Sequence, residues 1–406
     1  MFIFDRIKSY IKSARADQDQ RWKRLIFAAP FWVIVVSLVL IAVFSIRGYL
    51  LCKACNDQYA AQYWINGDEN KLFGQVSVYA QGMRTQGAES PLLNLGRDYS
   101  LSVADISTMR TSLQGVVDSF AKGKVTGLDR DGSPRGWEDC YSTFLNGTIS
   151  VCDSDSKSES SFSDTEVVAV SGNFTAFHPM EYLSGGFLPE KPVDKEQIVL
   201  NDVLAWKLFR SYDVIGKQLE LFGEKFTVIG VVRVPDSKIN SKAKADEPRV
   251  FIYFTELDEL DSNNYFNSES YSIFLEYTDS KLAVNCYEVM LPESLAGVAT
   301  SDVLAALPVY NANDPQFLVL RNSGRFSPYK IYDYMIPLGE NSRKNAIFNF
   351  PYWEKAAIIT TETVFVDGCF VLAGIILLII GIIMMSLKRN KNKNESQLIE
   401  TEADKS

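Results

Sequence analysis

The sequence predicts an α+β extracytoplasmic domain held between two transmembrane helices that continue outward as helical stalks. Three observations carry this. Residues 25–46 and 368–387 are runs of 22 and 20 residues without a charge, and each is long enough to cross about 30 Å of hydrocarbon as a helix. Basic residues crowd the far flanks of both runs. The roughly 300 residues between them break into short β-rich and helical patterns.

The first run has an apolar core too long for a signal peptide, with no small-x-small cleavage site after it, so it reads as a retained anchor. Arg6, Lys8, Lys12, Arg15, Arg21, Lys23 and Arg24 precede it, and Lys388, Arg389, Lys391 and Lys393 follow the second span, 367–387. The positive-inside rule then puts both termini in the cytoplasm and residues of about 47–363 outside the cell membrane. Trp22, Trp32, Tyr49, Tyr352 and Trp353 stand where interfacial aromatics are expected.

Taken in order, residues 1–24 place Ile3, Ile7, Tyr10 and Ile11 at helical spacing among basic residues. That pattern predicts a cytoplasmic amphipathic helix on the bilayer surface. The first span, 25–46, continues as a stalk over 47–67, stopped by Asn66-Gly67. Residues 73–80 alternate as a strand, and 81–97 read as a loop. Ser102 with Asp105 caps a helix carrying Ile106, Met109 and Leu113. Residues 141–151 contain Asn146-Gly147 between two short apolar runs, a hairpin signal. Residues 166–170 form another strand.

The stretch 198–234 is the most informative. An apolar strand meets Asn201, a helix cap. Val203, Leu204, Trp206, Leu208 and Phe209 follow at helical positions, with Trp206, Phe209 and Phe226 expected in the core. Gly216 ends the link. Residues 218–222 and 226–234 pair around a turn at Gly223-Glu224-Lys225. Residues 236–248 read as a loop, 249–254 and 271–277 as strands, 282–290 as a helix and 317–320 as a strand. Pro351 opens a long helix through the second stalk, 351–366, and the second span. The tail, 388–406, reads as disordered.

Composition removes several functions. A formal charge of −9 gives no basis for nucleic-acid binding. One histidine, His178, confines any Ser-His-Asp or Cys-His arrangement to its surroundings, and beside aromatics and Pro179 it reads as a packed or surface residue. Gly216-Lys217 continues as Gln218, without the hydroxyl a phosphate-binding loop needs. Glu256, Asp258, Glu259 and Asp261 match no Ca²⁺ loop and read as a solvated acidic loop. The chain is therefore expected to be non-catalytic, with no cofactor and no metal.

Six cysteines occur. Cys369 lies in the second span. Cys52 and Cys55 form a C-x-x-C in mid-helix, where no helix N-terminus would lower a thiolate pKa. Cys140 and Cys152 flank Asn146-Gly147, and a three-residue loop centred on Asn146 would set them opposite each other. A disulfide between Cys140 and Cys152 is expected, in a compartment where disulfides persist.

Residues 166–257 resemble the MacB-like periplasmic core domain of ABC-transporter permeases in the MacB/FtsX/LolCDE group. The resemblance rests on VVAVSGNF at 167–174, YLSGGF at 182–187, IVLNDVLAWKLF at 198–209, DVIGKQLELFGEKFTVIGVV at 213–232 and VFIYF at 250–254. These are structural glycines and apolar positions. Gly186 stands where the family often has arginine. Such permeases usually have four spans; this chain resembles a truncated one with two.

The resemblance implies a porter-like α/β lobe, built from 68–165 and 266–350, and an inserted β-rich lobe at 166–265. It also implies a non-catalytic membrane subunit of an ABC-type export or mechanotransmission complex. A cytoplasmic ATPase subunit and a further permease subunit would be its partners, with a homo- or hetero-dimer through spans and stalks. The alternative is a stand-alone membrane-anchored extracytoplasmic sensor, adhesin or scaffold.

Overall fold

The computed structural model of the chain describes residues 29–64, 73–80, 101–121, 136–152, 161–190, 192, 194–262, 284–307, 317–336, 348 and 350–403. The expected amphipathic helix at 1–24, the loop at 81–97 and the strand at 271–277 lie outside them. The chain divides into two compact units, Cys55–Thr360 and a helical unit of Met1–Ala54 with Thr361–Ser406.

The helical unit contains α1 (Ala29–Ala54) and the greater part of a helix that runs Tyr352–Ala403. Both are apolar enough and long enough to cross a membrane. They pack through small residues: a Cβ on Gly374 would stand 2.8 Å from Ile41 Cγ1, and one on Gly381 2.7 Å from Ile34 Cγ1. In lipid, close approach of this kind supplies the association that the hydrophobic effect cannot. Phe44 stacks on Phe370 at 4.5 Å, and Arg47 binds the buried Asp367 at 2.9 Å. The tail, expected to be disordered, is helical as far as Ala403. It contains no Gly or Pro to stop the helix.

In the Cys55–Thr360 unit, ten strands of the described residues form one sheet. They are β1 (Phe73–Ala80), β2 (Glu138–Val151), β3 (Ser161–Gly172), β4 (Tyr182–Gly185), β5 (Gln197–Asn201), β6 (Gln218–Leu221), β7 (Glu224–Val232), β8 (Arg249–Tyr253), β9 (Cys286–Pro292) and β10 (Phe317–Arg321). The order is β10-β1-β9-β2-β3-β8-β5-β7-β4, with β6 bridging β2 and β7. β2 pairs with β9 over its first residues and with β6 over its last, while β3 follows it along the other edge. The expected lobe boundary at 166 thus falls inside a strand, and the two proposed lobes share one sheet.

Both faces of this sheet are covered. Val167, Ala169, Ile198, Leu200, Val250 and Ile252 enter one core, with Ile106, Met109 and Leu113 of the helix α3 (Val103–Ala121). Val168, Val170, Val199, Phe251 and Tyr253 enter the other, with Phe174, Phe177 and Trp353. Successive strand residues point to opposite faces. A strand buried on both sides must therefore read as a continuous apolar run, which is why VVAV and VFIY do not alternate.

Local signals in the sequence appear as expected at several points. Ser102 and Asp105 make a reciprocal capping box at the start of α3. Asn201 Oδ1 accepts from Leu204 N at the start of α5 (Asp202–Phe209). Gly230 and Gly185 are positions where the fold demands glycine. A Cβ on Gly230 would lie 1.9 Å from Gly186 O, and Gly185 has φ +64°. A Cβ on Gly186 would meet nothing within 4 Å.

Other expectations are corrected. Residues 138–151 are one strand rather than a hairpin around Asn146-Gly147. Asn146 and Gly147 pair with Glu166 and Thr165, ahead of a bulge. Gly147 is where β6 and its turn approach: a Cβ there would stand 3.0 Å from Leu221 and from the Phe222 ring. The glycine serves close packing, not chain reversal. Cys140 and Cys152 consequently stand at opposite ends of β2, and both are free thiols. The β6–β7 turn is Phe222-Gly223, both at positive φ. Residues 286–290, expected in a helix, belong to β9.

The acidic stretch forms a helix, Phe254–Ser262, anchored by Leu257 and Leu260 in the core. Trp206 is 46% exposed rather than core, and its ring lies 5.6 Å from Tyr212. Tyr352 and Trp353 pack into the domain instead of lying at a membrane interface.

Candidate functional site

The first stalk does not run unbroken through 67. α1 ends at Ala54, Cys55 leaves helical geometry, and a 3-10 turn (Asn56–Tyr59) precedes the short α2 (Ala60–Trp64). No Gly or Pro causes the break; tertiary contacts do. Cys55 Sγ meets Thr360 Oγ1 at 3.2 Å, and Asp57 O accepts from Gln75 Nε2 at 2.7 Å. The break aims Asp57 at the core of the domain.

There Asp57 meets His178. The segment after β3 turns through a helical turn (Phe174–Phe177) and sets His178 beneath the sheet, 1% exposed. Its Nδ1 lies 2.9 Å from Asp57 Oδ1, and its Nε2 lies 2.5 Å from Glu288 Oε2 on β9. Ser77 Oγ donates to Glu288 Oε1 at 2.8 Å and accepts from Asn322 Nδ2 at 2.7 Å. The imidazole also packs on Trp353, with ring centroids 4.2 Å apart.

A second charged pair completes the cluster. Arg325 gives both terminal nitrogens to the fully buried Glu354, at 2.7 and 2.6 Å. Such a planar bidentate pair is the strong form of an ion pair. Tyr79 donates to the same carboxylate at 3.1 Å. Burial first, and Glu354 next, hold the Tyr79 hydroxyl well above its ordinary pKa, so it remains a donor.

Burial alone would push the His178 pKa down. The Glu288 charge, with the hydrogen bonds and charge of Asp57, outweighs it and raises the value to about 9. At neutral pH His178 is therefore a cation between two carboxylates, and both ring nitrogens donate.

Among the described residues, Cys140, His178 and Glu288 form a group that could hold a metal, with ligand atoms within 4.8 Å of one another. The geometry favours a proton. Two ligands on one tetrahedral zinc stand about 3.3 Å apart, from bonds of about 2.0–2.1 Å, whereas His178 Nε2 and Glu288 Oε2 are 2.5 Å apart. Burial, then Glu288, also holds the Cys140 thiol well above its ordinary pKa, away from the thiolate a metal requires. Cys140, His178 and Glu288 are each at most 2% exposed, so no substrate reaches them. The cluster is a sealed charged node that fastens chain segments together.

Sequence reading placed His178 among aromatics but found none of its partners. Asp57, Glu288, Arg325 and Glu354 come from distant segments. One signal was present: Glu288 is the lone charge in the apolar run CYEVMLP. A charge buried in a strand needs a partner. The expected pair Cys140 and Cys152 is not brought together: Cys140 lies beside this node, and Cys152 does not.

Residues 97–284 match the model of the MacB-like periplasmic core domain. His178 falls inside that match; Asp57, Glu288, Arg325 and Glu354 fall outside it. Two solved structures are similar. One is the periplasmic region of MacB from Actinobacillus actinomycetemcomitans, at 14% identity over 62% of this chain and 89% of that one, with a TM-score of 0.36. The other is the extracellular domain of the noncanonic ABC-type transporter YknZ from Gram-positive bacteria, at 13% identity over 61% and 99%, with a TM-score of 0.35. No curated protein matches the sequence. The family match carries the assignment: residues 97–284 are of the MacB-like periplasmic core domain type found in MacB/FtsX-type permeases, in a chain that also holds two helices long and apolar enough to cross a membrane.

Proposed function

We propose that the chain is a non-catalytic subunit of an ABC-type export or mechanotransmission complex. In this reading the two apolar helices take up motion generated by a cytoplasmic ATPase, and the outer domain hands it to a substrate or partner. The observation that supports this most is the charged node. Asp57 lies two residues into the domain from Cys55, and Glu354 lies six residues before its end at Thr360. Both are bound, through His178 and Arg325, to residues of the sheet and the loop after β10. A displacement arriving through either segment would meet buried ion pairs rather than a slack linker. The basic residues flanking the spans support cytoplasmic termini and an outer face for 47–363. The partners would be an ATPase subunit and a further permease subunit, with dimer formation through the helices.

Purification from native membranes in mild detergent tests the proposal. An ATPase subunit should be recovered in fixed ratio with this chain. A homogeneous preparation of this chain alone overturns the transporter reading and favours a stand-alone sensor, adhesin or scaffold.

A further inference from the structure

At the end of β3 the chain turns through Gly172 into the helical turn Phe174–Phe177, and the segment after β4 lies against that turn. The Phe174 and Phe187 rings stack there, 5.7 Å apart and 13° from parallel. Between these two segments and Tyr253 of β8 is a cavity of about 100 Å³. Pro189, Glu190 and Thr255 in its wall are exposed, so it communicates with solvent. It lies wholly within the Cys55–Thr360 unit and shares no polar group with the charged node.

Tyr253 is 5% exposed, and its hydroxyl is buried without a hydrogen-bond partner. Leaving a buried hydroxyl unpaired destabilises a fold, and phenylalanine would fill the same space without that cost. Burial, then the Asp194 charge, raises the Tyr253 pKa to about 12. The phenol therefore keeps its proton, and can both donate and accept. Its neighbours are unused as well. Ser171, Asn173 and Thr175 line the same cavity and make no side-chain hydrogen bond among the described residues.

The lining selects the chemistry of the ligand. None of the described lining residues is basic, and the nearby charges, Glu190 and Asp194, are carboxylates, so an anion is disfavoured. An ammonium only donates, and would leave the hydroxyl protons without an acceptor. Hydroxyls and an amide that each donate and accept match a ligand with the same double capacity, an alcohol. The half-buried Phe187 ring adds a flat apolar surface. A cavity of this volume takes one face of a single ring, whereas pockets for drug-sized ligands run to about 300–1,000 Å³.

We propose that this cavity binds one ring of a neutral sugar, with its hydroxyls shared among Tyr253, Ser171, Asn173 and Glu190 and its C–H face against Phe187. The ring could belong to a free sugar or to the end of a glycan chain.

The test uses the full chain in a polyoxyethylene detergent, which has no sugar headgroup. Saturation-transfer NMR is recorded with glucose, galactose, mannose, N-acetylglucosamine and the N-acetylglucosamine tetramer, and with butylammonium and phosphate as controls. Transfer to at least one sugar is expected, with affinity falling about tenfold in Tyr253→Phe. Without ligand, that variant should melt no lower than wild type. Tighter binding of the tetramer than of its monomer identifies a glycan chain as the source, and equal or weaker binding a free sugar. Transfer to no sugar, transfer to either control instead, or unchanged affinity in Tyr253→Phe overturns the proposal. A Tyr253→Phe chain that melts lower than wild type does so too, because the hydroxyl would then be paired within the fold. The outcome needs no ATPase and is independent of the co-purification.

Discussion

His178 is the residue whose loss reaches furthest. It is the cation between Glu288, which the fold has withdrawn from water, and the half-buried Asp57, and removing one partner of a buried ion pair commonly costs about 3–5 kcal/mol. His178→Gln should lower the stability of the solubilised protein by that order in denaturant titration, because the amide offers no charge to Glu288 or Asp57. A change under about 1 kcal/mol would show that the carboxylates find other partners. The pH dependence has a definite sign. The folded imidazole titrates at about 9, against about 6.5 when unfolded. Its contribution is complete below about pH 6.5 and is lost as pH rises through 9, with an amplitude on the order of 3 kcal/mol. Buried thiols lose stability in the same direction only above their own unfolded pKa of about 8.5. The decline between pH 6.5 and 8.5 therefore belongs to His178, and the glutamine variant should abolish it. A wild-type profile flat over that window sinks the assignment.

At the scale of elements, β2 shows how a local signal can be overruled. Asn146-Gly147 is strong turn chemistry in a peptide, but here the strand continues, because Gly147 is the position at which β6 and Phe222 come close. The consequence concerns the cysteines. Cys140 and Cys152 are twelve positions apart on one extended run, roughly 40 Å, far beyond the Cα separation of about 4–7 Å that a disulfide spans. Alkylation of the unreduced, denatured protein should therefore modify all six cysteines. A peptide linking Cys140 to Cys152 in the mass spectrum would contradict the continuous strand. The capping box at Ser102 and the Asn201 cap were legible in the sequence because their partners lie three residues away. The strand at 286–290 reads wrongly as a helix although Tyr287, Val289 and Leu291 alternate as strand residues do; the run is short, Cys286, Met290 and Pro292 beside them are also buried, and pairing with β1 and β2 makes it extended.

For the whole molecule, the place where the outer domain ends matters to the proposed coupling. Trp353, Ala356 and Ala357 of the last helix are buried in the domain, which ends at Thr360. Inserting Gly-Gly at Ala356 turns the following helix by about 200° and drives buried residues out of the core. It should depress the melting temperature of the domain by on the order of 10 °C. The same insertion after Glu362 should leave that transition in place and uncouple the outer domain from ATP hydrolysis in the purified complex. Unchanged coupling in the second variant would count against a mechanical role for the helix.

The sequence by itself determined the two apolar helices, the α/β character of what lies between them, most strand positions and the kinship to the MacB-like core domain. These rest on length, period and caps, which are properties of neighbouring residues. Only the tertiary structure decided that β2 and β3 join both halves into one sheet, that α1 breaks at Cys55, and that Asp57, His178, Glu288, Arg325 and Glu354 share a buried node. Asp57 and Glu288 lie 231 positions apart, and what brings them together is the low dielectric of the interior, where an unpaired charge is too costly to persist and each must find its counterpart across the fold.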